Sequence, residues 1–246
     1  MGLHGASVGA FPAKEGARMA AELGLHWLEL TSAQIRLQES KVRNPGPEAS
    51  MEELRAMRAM LEALDITPTA FGPIRLAEDP GNRVLFERAK ALGVRNLSCI
   101  PQAEALDGLE KLADEFGVRL AIHNNAPGSP FSAIADVVKA CEGRGPNVGA
   151  CLDIGNAIRA SEDPAEALRS LGSRLLGIHL KDVDGRDGDS EVIVLGKGFL
   201  DVKEFFSTLA EVGFPEDGAL SLEYLEKPDD PLPGIREGLQ IAAKAA

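Results

Sequence analysis

The chain has 246 residues, 44% apolar and 26% charged, with 38 acidic against 26 basic side chains and a net charge of −12. This is enough chain and enough apolar character for the core of one large α/β domain. The acidic balance excludes a nucleic-acid surface, which needs basic patches to displace counterions.

The opening text, MGLHGASVGAFPAKEG, has neither a basic n-region nor a long apolar h-region, and no run of about 18 apolar residues follows anywhere. A cytoplasmic protein with no membrane partner is therefore expected. A first strand is expected near residues 2–8; it is rich in small residues and carries His4, which could line a site. The helical text GARMAAELG then leads into LHWLEL, a strand near 26–31. Trp27 there is expected to pack at a barrel or helix interface. Glu29 reads either as a substrate ligand or acid/base group, or as a partner of Arg36. NPGPEAS reads as a long loop, and MEELRAMRAMLEALD as a helix with Leu54, Met57, Leu61 and Leu64 on one stripe.

Four more strands follow near 66–71, 94–99, 118–123 and 148–153, then two near 175–180 and 219–224. Helical text separates them, and IREGLQIAAKAA closes the chain. Gly24, Gly93, Gly117 and Gly213 sit where a helix would stop in a positive-φ residue. Ser50, Asp79, Ser129, Asp163 and Asp201 read as helix caps, and Pro80 and Pro164 suit a first helical turn. DVDGRDGDSEVIVLGKG reads as a second long loop. Its Gly196-Lys197-Gly198 is weak evidence for a phosphate site, and a simple turn is the plainer reading. Cys99, Cys141 and Cys151 form no Cys-x-x-Cys pair and are expected as small buried hydrophobes.

Eight alternating βα units over this length predict a single (β/α)8 TIM barrel, one domain over residues 1–246. In such a barrel the carboxyl ends of the strands form one rim. Four strands end in a metal-capable residue: His123 in VRLAIHNN, Asp153 in VGACLDIGN, His179 in RLLGIHLKD and Glu223 in GALSLEYLE. Two imidazoles and two carboxylates can hold one divalent cation. Each residue also has a plainer reading. Asp153 can cap a helix or loop, His179 can be a core histidine bonded to backbone, and Glu223 can sit in an ion pair. His123 reads as a ligand, a substrate hydrogen-bonder or a general base. Lys181, on the same face as His179, reads as a contact for a substrate oxyanion or as the partner of Asp182 or Glu223.

AIHNNAP, CLDIGNA, GIHLKDVDG, VLGKGFLD and SLEY, in this order, resemble the xylose-isomerase-like TIM-barrel superfamily, in its sugar phosphate isomerase/epimerase branch. The resemblance covers essentially the whole chain. It implies a divalent metal ion (Mn2+, Mg2+, Co2+ or Zn2+) held by a carboxylate after strand five, an Asp, a His and a final Glu. The last three map onto Asp153, His179 and Glu223. His123 stands where ketose epimerases carry Glu, and Asn156 replaces the His of Asp-x-Gly-His.

The expected activity is a metal-dependent sugar isomerase or epimerase that moves a proton through an enediolate, on a small-molecule carbohydrate in keto or open-chain form. Glu223, His123, Lys181 and Glu29 are the candidate catalytic groups. The same first step followed by loss of a β leaving group would make the chain a lyase or dehydratase on an inosose or 3-keto-glycoside. A barrel with a degraded metal site, acting only as a binding subunit, is the non-catalytic alternative. Both a monomer and a homodimer fit the sequence.

Overall fold

The computed structural model describes residues 1–31 and 49–246. Arg36, with its expected pairing to Glu29, and most of the NPGPEAS segment lie outside these described residues. Eight parallel strands close into a barrel: β1 (Gly2–His4), β2 (Trp27–Leu30), β3 (Thr67–Leu76), β4 (Asn96–Pro101), β5 (Arg119–His123), β6 (Val148–Asp153), β7 (Leu175–Leu180) and β10 (Ala219–Leu222). Each pairs with its neighbour in chain order, and β1 pairs with β10 to shut the ring. A short antiparallel ribbon, β8 (Asp182–Val183) with β9 (Val192–Ile193), stands between β7 and the last barrel strand. The long loop expected there thus contains its own small sheet.

The helices are α1 (Ala13–Glu22), α2 (Met51–Glu62), α3 (Asn82–Leu92), α4 (Leu106–Phe116), α5 (Ile134–Cys141), α6 (Ile154–Arg159), α7 (Pro164–Leu171), α8 (Val202–Glu211) and α9 (Leu232–Ala245). Their apolar stripes cover the outer face of the barrel. Leu54, Met57 and Leu61 of α2 are buried, as their spacing requires. Outward-facing Leu3, Leu28, Leu97, Leu120, Ile122, Leu152, Ile178 and Leu180 complete that core. The three cysteines are buried and unpaired.

Local signals act mostly as the sequence suggests. Gly24, Gly93, Gly117 and Gly213 all take positive φ, at 75°, 80°, 64° and 67°. Ser50 caps α2 in a reciprocal capping box with Glu53, and Asp163 and Asp201 cap α7 and α8. Asp79 and Ser129 are corrections. Asp79 accepts from Gly81 N in a turn that precedes α3, so Pro80 also lies ahead of the helix. Ser129 sits in the loop before α5, whose cap residue is Ala133. The first strand is shorter than expected: after His4 the chain turns into a 3-10 segment, Gly5–Val8. Trp27 is 46% exposed, because it opens β2 at the amino end of the barrel, beyond the helical cover.

Candidate active site at the carboxyl ends of the strands

Parallel strands deliver all their carboxyl ends to one rim. His123, Asp153 and His179 end or nearly end adjacent strands, with Asp153 level with His179 in the β6–β7 register. Alternation along each strand turns them inward, with Ala121 and Cys151 beneath them. His123, Asp153, His179, Lys181 and Glu223 are all buried, as are Glu29 and His4.

These seven side chains form a ring. His123 Nε2 lies 3.1 Å from His179 Nδ1 and 3.3 Å from Asp153 Oδ2, and His179 Nδ1 lies 3.9 Å from the same oxygen. Lys181 Nζ bridges Asp153 Oδ2 at 2.8 Å and Glu223 Oε2 at 3.0 Å. On the far side, His179 Nε2 lies 2.9 Å from Glu29 Oε1, and Ser221 Oγ donates to Glu29 Oε2 at 2.7 Å. His4 completes the circuit more loosely, at 4.0 Å from Glu29 Oε1 and 3.8 Å from Glu223 Oε1.

Asp153 serves two of its expected readings at once. Its Oδ1 accepts from Asn156 N and caps α6, while Oδ2 faces the two imidazoles and Lys181. Its backbone is pinned as well. Asn124 accepts from Asp153 N at 2.6 Å and donates to Asp153 O at 2.9 Å, and Asn156 Nδ2 donates to Asn124 O. Asn156 therefore braces the strand ends and offers no imidazole. Gly155 is required for space: a Cβ there would come within 2.8 Å of Lys181 Cγ, so the Lys181 stem lies directly over the first turn of α6.

The charges follow from these contacts. Burial would raise the Glu29 carboxyl, but the His179 imidazole against it holds it down at about 2. Burial works the same way on Glu223, and Lys181 overrides it, again to about 2. Asp153 is held far below the usual carboxylate range by Lys181 and the two histidines, against the pull of burial. Lys181 is raised above an ordinary lysine by Asp153 and Glu223 despite its burial. Burial pulls His179 down, but Cys151 and Glu29 more than reverse it. Because burial pushes the Cys151 thiol up and keeps it neutral, Glu29 is the partner that carries charge. Burial lowers His4.

Three atoms suit a cation: His123 Nε2, His179 Nδ1 and Asp153 Oδ2. Donors about 2.1 Å from a common ion stand roughly 3.0–3.4 Å apart in tetrahedral or octahedral geometry. Separations of 3.1, 3.3 and 3.9 Å fit that with small side-chain adjustments. Glu29 on His179 Nε2 is the outer carboxylate that orients a metal-bound imidazole. His4, Glu29 and His179 also approach one another closely. There, however, His4 Nδ1 accepts from Ala6 N, which leaves Nε2 carrying the hydrogen and unable to act as a ligand. Glu223 joins neither group. Its carboxylate is turned to Lys181.

Other expected residues lie apart from the ring. Asp182 does not pair with Lys181. Buried, it accepts from the backbone N–H of Val183, Gly196, Gly198 and Leu200. The Gly196 and Gly198 amides are thereby occupied, Lys197 N donates to Val194 O, and the Lys197 side chain pairs with Glu237 on the surface, so this loop is a turn and not a phosphate cradle. Sequence reasoning missed Asn124, Ser221 and the joint work of Asp182. Asn124 had a signal, a polar pair directly after an apolar strand; Ser221 had none.

No curated protein sequence matches the chain. Several solved structures share its fold. A Parabacteroides distasonis protein is 27% identical with a TM-score of 0.76, covering 100% of this chain and 98% of its own. D-psicose 3-epimerase from Clostridium cellulolyticum, solved with D-tagatose, is 18% identical with a TM-score of 0.77 and coverage of 100% and 99%. The IolI protein with a bound zinc atom is 18% identical, with a TM-score of 0.74 and coverage of 100% and 96%. At 18% identity the latter two show the fold alone. The family model described as xylose isomerase-like TIM barrel matches residues 17–245, nearly the full length of the closed barrel and all of its rim from Glu29 onward, and the chain belongs to that family.

Proposed function

We propose that this protein is a divalent-metal-dependent sugar isomerase or epimerase acting on a small keto or open-chain carbohydrate. The observation that carries the reading is the convergence of His123 Nε2, His179 Nδ1 and Asp153 Oδ2, with an ionised Glu223 beside them on Lys181. The epimerase and the zinc-bearing neighbour support it by sharing the whole barrel. His123, Asp153 and His179 would hold the ion, with Glu223 available as a further carboxylate. When bound, a divalent cation polarises a carbonyl oxygen and acidifies the adjacent C–H.

The chain's own groups account for the proton. Glu223, already deprotonated, takes the proton of the α C–H onto a carboxylate oxygen as the C–H electron pair moves into the enediolate. Lys181, 3.0 Å from that carboxylate, supplies positive charge for the developing oxyanion and gives up its hold on Glu223 as it does so. Return of the proton to the neighbouring carbon gives isomerisation. Return to the opposite face of the same carbon gives epimerisation and needs a second group, for which Glu29 is the candidate once His123 is committed to the ion. Burial of the ring keeps bulk water from protonating the enediolate.

The test is to incubate the protein with Mn2+, Mg2+, Co2+ or Zn2+ and a panel of ketoses and aldoses in D2O. Metal-dependent incorporation of deuterium next to the carbonyl, with an isomer of unchanged skeleton, is the expected result. A product that has lost water or an aglycone would move the assignment to a lyase. No exchange with any sugar would defeat the proposal.

A further inference from the structure

Among the described residues, His4 is the one ring member without a short contact to a charged neighbour, and its Nε2 is a buried atom with no hydrogen-bond partner there. The ring cannot easily turn to find one. Its Nδ1 is committed to Ala6 N at 3.3 Å, and its ring packs against that of His179, tilted by 59° with centroids 4.4 Å apart. Because Nδ1 accepts, Nε2 carries the hydrogen and is a fixed donor. Glu29 Oε1 lies 4.0 Å from it, too far for a direct bond. One oxygen placed about 2.8 Å from each would reach both, at an angle of about 90° across the present gap and at a tetrahedral angle once the pair opens to about 4.6 Å. Such an oxygen must accept from His4 and donate to the ionised Glu29, which a hydroxyl does and a carbonyl does not. Glu29 has the capacity, since a carboxylate offers about four lone-pair positions and His179 and Ser221 use only part of them.

We propose that His4 and Glu29 form a hydroxyl-reading pair that fixes one hydroxyl group of a polyol substrate beside the His123–Asp153–His179 centre. This rests on the carbohydrate reading above and adds the residue that would select for a hydroxyl at one substrate position.

The experiment uses the full-length protein loaded with Zn2+ and labelled with 15N. Its only histidines are His4, His26, His123 and His179, so imidazole correlation spectra are readily assigned, with His4→Gln identifying His4. The expected result is a His4 ring in the Nε2–H tautomer whose Nε2 signal moves saturably with a D-ketohexose such as D-tagatose or D-fructose. His4→Phe should weaken ketohexose binding by about tenfold, His4→Gln by less, and both should leave Zn2+ affinity within about twofold. An Nδ1–H tautomer overturns the proposal without touching the parent reading. So does ketohexose binding that moves His123 or His179 while His4 stays still, or binding unchanged in His4→Phe. If no ketohexose moves any imidazole signal, both the substrate class and the His4 pair fail. If His4→Phe does not fold, the tautomer and titration arms on the unmodified protein still decide.

Discussion

His123 Nε2 and His179 Nδ1 face each other across 3.1 Å, with one Asp153 oxygen beside both. Two imidazole nitrogens at that distance repel if both are bare and clash if both are protonated. They share either one proton or one cation. With Glu29 taking the other nitrogen of His179, the metal-free protein holds His179 protonated well above the usual histidine range. Cation binding therefore has to expel that proton. The expected outcome is release of about one proton per ion near neutral pH, with affinity rising roughly tenfold per pH unit there. Calorimetric titration of Zn2+ in buffers of different ionisation enthalpy measures both. Affinity independent of pH between 6 and 8 would mean that this pair is not where the ion sits.

The ring also separates ligands from neighbours. Asp153→Asn and His179→Ala each remove a donor from the converging set, and each should lose metal on gel filtration while unfolding cooperatively. Glu223→Gln removes a carboxylate that faces Lys181 and not the imidazoles. Its Zn2+ affinity should fall by less than about tenfold, while proton exchange on substrate is lost. Metal content by mass spectrometry separates these outcomes. If Glu223→Gln loses metal as completely as Asp153→Asn, then Lys181 yields Glu223 to the ion and the fourth ligand expected from the family resemblance is restored.

Glu29 sets an acid limit on the fold. Its carboxyl is held at about 2 in the folded chain against an ordinary 4.5. The unfolded chain therefore takes up this proton first as pH falls. The stabilisation is complete above about pH 4.5 and is lost progressively as pH drops toward 2. Its limiting size is on the order of 3 kcal/mol. Urea midpoints measured from pH 7 to pH 3 should fall more steeply for the unmodified protein than for Glu29→Gln. Parallel curves would show that His179 does not hold this carboxylate.

The strand ends were legible because each broke an apolar run with a residue that burial ordinarily excludes. His123, Asp153 and His179 needed only the barrel topology to bring them together, and alternating βα text supplied it. The pairing of Glu29 with His179 spans 150 residues and exists only because the barrel closes, so no local pattern announces it. His4 is legible only as a residue that could line a site, because the groups around it arrive from β2, β7 and the residue after β10. Lys181 pairs with Glu223, one of the two partners its sequence context allows, and not with Asp182, because alternation sends Asp182 away from the barrel interior and onto loop amides. Trp27 was misread because aromatic residues in strand text usually pack, and nothing local marks the uncovered amino end of a barrel.

Asp182 is the loop counterpart of the ring. Fully buried, it gathers the amides of Val183, Gly196, Gly198 and Leu200 at 2.9–3.0 Å, and so ties the β8–β9 ribbon to the turn before α8. A Cβ on Gly198 would strike Val183 O and the Asp182 carboxylate, so that turn can close on Asp182 only as glycine. Asp182→Ala leaves several buried amides without an acceptor, at a cost of about 4 kcal/mol. For a chain of this size that is a fall in Tm of roughly 10 °C. Asp182→Asn keeps one acceptor oxygen and should fall about half as far. Because Asp182 touches none of the converging ligand atoms, Zn2+ affinity at 20 °C should be nearly unchanged in both variants. Calorimetric melting and zinc titration on the same samples make the check. Loss of zinc binding without loss of Tm would place Asp182 in the metal centre and overturn its assignment as the anchor of the loop.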